Sequence, residues 1–159
     1  MQNGWLLRLY PIPKAERCDQ AVCRRLAFIY GNAVHHAAVD EGTHLALHEL
    51  FGTTSVQMMV DRARCAGAER LVDATGSDLY MPRLDLLQFP LTFFHGEHNL
   101  VWVPESAKRS YDLLVGEFGP ANYRRIVFPA HGHQDTFMGE RSVDDVFPEV
   151  LTHLQRAGA

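Results

Sequence analysis

The 159-residue sequence predicts an α/β chain, and three observations carry that prediction. Apolar residues recur at helical spacing through the first half. A short apolar run, Pro90 to Gly96, and a second segment, Tyr123 to Phe128, read as strands in the second half, and each is followed by a helical pattern. A strand-helix-strand order builds a parallel sheet, so the loops after both strands should share one rim. An apolar content of 47% suits one core at this length. One compact unit is therefore expected, with a helical region over 1–68 and a strand-helix-strand-helix region over 69–159.

Between Ala15 and Val34, the residues Val22, Leu26, Ile29 and Ala33 fall on one helical stripe. A second helix is expected from Thr43 to Phe51, ended by Gly52 in a left-handed conformation. Thr54 and Gln57 have the spacing of a capping box for a third helix, which Gly67 ends. Leu71 to Ala74 and Leu79-Tyr80, around Thr75-Gly76-Ser77, suggest a small hairpin.

Beyond the first strand, Pro104 can open a helix because its missing N–H falls among donors that have no helical partner. Tyr111, Leu114, Val115 and Phe118 form the apolar stripe of that helix, and Gly119-Pro120 ends it. Pro129 forces the second strand into the loop Ala130 to Asp135. In the final helix Pro148 is tolerable only near the start. Asp144 or Asp145 is thus the expected cap, with Phe147, Val150, Leu151 and Leu154 facing inward.

Charge and composition narrow the partners. A formal charge of −4, a pI near 6.1 and scattered Arg and Lys argue against nucleic acid. No apolar run is long enough to span a bilayer, and Met1-Gln2-Asn3-Gly4-Trp5 lacks the order of a signal peptide, so a cytoplasmic location is expected. Cys18, Cys23 and Cys65 are an odd set without a disulfide framework or a CxxC pattern, which points to reduced, structural thiols.

No Gly-x-Gly-x-x-Gly or phosphate loop occurs, and no cofactor is expected in this chain. Nine histidines invite a metal reading. His44 and His48 share one helical face beside Glu49, but a third ligand is missing nearby and no metal site is assigned.

Two loops carry a resemblance. Phe94-His95-Gly96-Glu97-His98-Asn99, followed by Pro104-Glu105-Ser106, is similar to the acid-bearing turn of the α/β-hydrolase superfamily, and Gly132-His133-Gln134-Asp135-Thr136-Phe137-Met138-Gly139 resembles its histidine loop. Cys23-Arg24-Arg25, Tyr30-Gly31, Thr43-His44 and His48 to Gly52 resemble the cap region of a narrower group. That group comprises hydrolase domains found alone or fused to cholesterol-oxidase-type flavin oxidoreductases.

The resemblance implies the C-terminal part of an α/β-hydrolase, a helical cap followed by the last parallel strands and helices, with the sheet incomplete. The implied activity is esterase- or lipase-like hydrolysis of an apolar ester, with a hydrophobic ester or lipid as substrate and His133 as base. The Gly-x-Ser-x-Gly nucleophile elbow is absent; in family order it would lie upstream of Met1. The chain is thus expected to be inactive alone and to need its N-terminal half or self-association. The alternatives are a non-catalytic binding or accessory module, or the C-terminal part of an oxidoreductase fusion. Asn99 occupies the aspartate position, and Glu97 is the nearest carboxylate. Asp135 is expected to brace its loop through backbone N–H groups. Of His95 and His98, one should pack against the sheet end and the other face solvent.

Overall fold

Strands β1 (Leu91–Gly96) and β2 (Tyr123–Phe128) pair in parallel, from Leu91 opposite Tyr123 to Gly96 opposite Phe128. The structure is a computed structural model and describes residues 10–158, so Trp5 and its neighbours lie outside the described residues. The described residues form two compact units. One comprises those up to Leu50 together with those from Pro90 onward, and the other is Phe51–Phe89.

In the first unit, β1 and β2 are joined by α4 (Pro104–Phe118), which has Pro104 in its first turn as the sequence predicts. Gly119 ends that helix at φ 79°, a conformation costly for a side-chain-bearing residue, and donates its N–H to Val115 O. Alternation along the strands assigns their faces. Phe93 meets Tyr111 of α4 edge to face with centroids 6.4 Å apart, and Arg125 donates to Pro104 O. Thr92 and Arg124, on the opposite face, reach α7 (Phe147–Ala157). Thr92 Oγ1 lies 3.0 Å from His153 Nδ1, and Arg124 pairs with Glu149 at 3.1 Å. One helix thus covers each face of a parallel pair, a mixed α/β arrangement.

The helix α1 (Ala21–Tyr30) is shorter than the expected stripe. It buries Cys23, Leu26 and Ala27 while Ile29 is exposed, because Gly31 at φ 91° turns the chain away a few residues early. Helix α2 (Glu41–Leu50) starts on Asp40, whose carboxylate accepts the Thr43 N–H and hydroxyl at 2.9 and 2.6 Å. Gly52 does not take the left-handed conformation that was expected of it.

The final helix also differs. Ser142–Asp145 forms a separate turn, α6, which follows another short turn, α5 (Asp135–Met138). Helix α7 then begins at Phe147 without a side-chain cap. Asp145 is drawn instead to Arg141 and His131, at 3.0 and 3.2 Å. Val146 is fully buried, whereas Phe147, Leu151 and Leu154 of the expected inward stripe are exposed.

The second unit holds α3 (Val56–Ala68) and a kinked 3-10 segment over Met81–Leu87, interrupted at Arg83. Ser55, not Thr54, caps α3 by accepting the Met58 N–H at 3.1 Å, and Gln57 bonds Asp61 instead of closing a capping box. Glu69 at φ 53° ends the helix, with Gly67 still inside it. The expected hairpin does not form. Asp73 accepts the N–H groups of Thr75 and Ser77, at 2.8 Å each, so a side chain nucleates a turn where strand pairing was expected. The sequence-predicted junction between 68 and 69 falls inside this unit. No helix among the described residues is long and apolar enough to cross a membrane.

Candidate active site

The loops after β1 and β2 meet on one rim. Glu97 donates its N–H to Phe128 O at 3.0 Å, and His98 donates its N–H to His131 O at 2.9 Å. Asp135 is fully buried and braces the second loop as expected. It accepts the Gly132 N–H at 2.5 Å and the His35 N–H at 2.8 Å, the latter from a hundred residues away. Two further backbone bonds, Gln134 N–H to Ala33 O and Glu140 N–H to Ala38 O, strap the segment around His36 to this loop. Buried His131 bridges Asp135 O and the Asp145 carboxylate, a part that its position in the sequence does not suggest.

Two of the three sequence-predicted catalytic positions touch. Asn99 Nδ2 lies 3.1 Å from His133 Nδ1, while Glu97 is exposed. The orientation of the Asn99 amide follows from its other contacts. Its oxygen accepts the N–H groups of Val101 and Trp102, each at 3.0 Å, so its nitrogen must face the ring. An amide nitrogen only donates, so Nδ1 of His133 must accept and the neutral ring carries its proton on Nε2. In a serine triad the acid accepts a proton from Nδ1 and leaves Nε2 free as the base. Asn99 therefore holds His133 in the opposite tautomer.

A cavity of about 330 Å³ adjoins this pair, lined among others by Phe94, Trp102, Ser106, Ser110, His133 and Phe137. Its size is at the lower end for a small-molecule site. Ser106 donates its hydroxyl to Val103 O, just before α4, and Ser110 donates to Ser106 O, so both protons are committed to backbone carbonyls.

His95 is buried against the sheet end and His98 is exposed, the division expected from the sequence. Nε2 of His95 has no hydrogen-bond partner among the described residues, and burial lowers the imidazole below its usual range. The sign follows directly. As pH falls below about 6.5, the unfolded chain takes up a proton that folded His95 resists, so His95 contributes stability at higher pH that is lost on acidification. Urea midpoints measured from about pH 8 down to about pH 5 should fall, and His95→Gln should remove that component. An unchanged pH profile in the variant would contradict this assignment.

Elsewhere in the same unit, Cys18, Cys23, His36 and His44 bring one donor atom each within 4.8 Å of one another. Cys23 Sγ lies 2.8 Å from His44 Nε2. Burial, then the neighbouring Cys18 thiol, pushes the Cys23 thiol up to about 12, so it is no thiolate nucleophile by itself. Buried Glu16 bonds both His35 and His36. Burial favours its neutral form, but bonds from His36, His35 and Asn32 outweigh that and hold its carboxyl down at about 2. His48, paired with His44 in the sequence reading, instead bonds Leu45 O and is exposed. Nothing in the local sequence around Glu16 or His36 points to these roles; the four-residue gap between Cys18 and Cys23 is the one local signal for this cluster.

Comparison with known proteins finds no matching protein family, curated protein or solved structure.

Proposed function

We propose that this chain is the C-terminal, histidine-bearing part of a serine α/β-hydrolase acting on an apolar ester, with its catalytic serine supplied by a segment outside these residues. The contact between Asn99 and His133, at the carboxyl ends of adjacent parallel strands, is the observation that carries the proposal. Ligands of open α/β sheets collect at that end of the strands. The partly aromatic pocket beside His133 suits an apolar acyl or alcohol group. Exposed Leu151 and Leu154 on α7 are residues that further strands of such a sheet would cover.

In this mechanism His133 takes the proton of an attacking serine and returns it to the leaving alkoxide. Because Asn99 favours the Nε2-protonated ring, His133 must first exchange tautomers. Turnover is therefore slow relative to an enzyme with a carboxylate at position 99.

The test is to express the chain together with the coding segment that precedes it and to assay p-nitrophenyl esters. Slow hydrolysis, a serine labelled by a fluorophosphonate, and a return to the uncatalysed rate in His133→Ala support the proposal. Ligand binding without turnover, or turnover indifferent to His133→Ala, would overturn it in favour of an accessory module.

A further inference from the structure

We infer that Cys18, Cys23, His36 and His44 form a structural zinc site, separate from the rim and independent of the hydrolase proposal. Two thiolates and two imidazoles are a donor set that zinc favours, and together they neutralise its charge. Zinc bonds of about 2.3 Å to sulfur and about 2.0 Å to nitrogen place tetrahedral donors roughly 3.3 to 3.8 Å apart. The widest separation here is 4.8 Å, so closing on a metal needs a contraction of about 1 Å at that pair.

The orientation of His36 is the independent observation. Its Nδ1 lies 2.9 Å from Glu16 Oε2, and its backbone N–H donates to the same oxygen at 3.0 Å. A carboxylate only accepts, so the proton sits on Nδ1 and the Nε2 lone pair is left exposed to its surroundings. That nitrogen is buried and has no hydrogen-bond partner among the described residues. A buried acceptor without a donor is costly, and a carboxylate on the far side of the ring is the arrangement that orients and strengthens a metal-bound histidine.

The remaining elements hold the other donors in place. Arg24 grips the Cys18 carbonyl with two bonds at 3.2 and 3.1 Å, fixing the turn before α1. Cys23 sits on the buried face of α1, and His44 projects from α2 to within 2.8 Å of its sulfur. The gap of four residues between the cysteines matches the short-loop spacing of structural zinc sites. The gap of seven between the histidines is longer than usual, because the His36–Ala38 turn and the start of α2 lie between them. Four protein donors complete a tetrahedron and leave no position for substrate, so the site is structural. It cross-links the turn before α1, helix α1, the His36 turn and α2, in a region where α2 buries only Leu47.

The experiment uses the full chain, purified under reducing conditions without chelator. Elemental analysis should find about one zinc per chain, and chelation should lower the melting temperature in a way that added zinc reverses. Cobalt(II) in place of zinc should give tetrahedral visible bands with thiolate charge transfer. Cys65→Ser should retain metal and spectrum, Cys23→Ser should lose both, and Glu16→Gln should weaken zinc binding by about 10- to 100-fold while keeping the cobalt spectrum. If Cys23→Ser fails to fold, His44→Cys decides, since a third thiolate should keep the metal and intensify the charge transfer by about half. Absence of zinc and of cobalt bands, a Cys18–Cys23 disulfide in the reduced preparation, or a spectrum unchanged in Cys23→Ser or His44→Cys would overturn the site.

Discussion

Gly96→Ala is expected to destabilise the chain by about 3 kcal/mol or more, a large part of the total stability of a small domain. A methyl group on Gly96 would lie 2.1 Å from Gly132 O and 2.4 Å from His131 O, closer than non-bonded atoms tolerate. Neither neighbour is a side chain that can swing aside. Both belong to the backbone of the His133 loop, which the buried Asp135 carboxylate holds in place. Relief therefore requires separating the two loops, which breaks the bond from His98 N–H to His131 O.

The control makes the same chemical change with the opposite sign. Gly116 lies in the last turn of α4, two residues before its end, and a methyl group there meets nothing within 4 Å among the described residues. Gly116→Ala should stabilise by roughly 0.5 to 1 kcal/mol through helix propensity alone. Urea denaturation of both variants measures the pair, and a Gly96→Ala midpoint equal to that of the parent would refute the close approach.

Asn99→Asp is expected to move the proton on the His133 ring. An aspartate can keep both N–H bonds, from Val101 and Trp102, on one oxygen and turn the other toward Nδ1. That oxygen must accept, so the ring then carries its proton on Nδ1 and leaves Nε2 as the base. The nitrogen-15 chemical shifts of the His133 ring report the exchange in the chain by itself. The parent should show an unprotonated Nδ1, and the variant an unprotonated Nε2. Under the proposed function, in the chain joined to a serine-bearing segment, the same change should raise kcat by about 10³- to 10⁴-fold, the scale on which the acid of a triad acts. A parent ring already protonated on Nδ1 would mean that the amide faces the other way.

The part of the fold nearest the rim was legible because it rests on local chemistry. Leu91 to Gly96 and Tyr123 to Phe128 are short segments rich in aromatic and β-branched residues, as strands are, and Pro104 and Gly119 mark the ends of the helix between them. Where several side chains compete for one backbone role, local spacing was a poorer guide. Thr54 and Ser55 could each cap α3, and only Ser55 reaches the Met58 N–H. Asp73 could sit within a hairpin strand or gather the N–H groups of a turn, and it does the latter. Asp145 was available as a cap, but Arg141 and His131 claim its carboxylate.

By itself, the sequence determined the order strand, helix, strand, and through it the shared rim where His133 and Asn99 stand. Those properties follow from apolar periodicity and from proline and glycine, which act over a few residues. Only the tertiary structure decided which way the Asn99 amide points, why position 96 has no room for a side chain, and that His36 and His44 converge on Cys18 and Cys23. Each depends on groups brought together from segments apart in the sequence, and hydrogen-bond direction, steric exclusion and donor geometry exist only once those groups are within a few ångströms of one another.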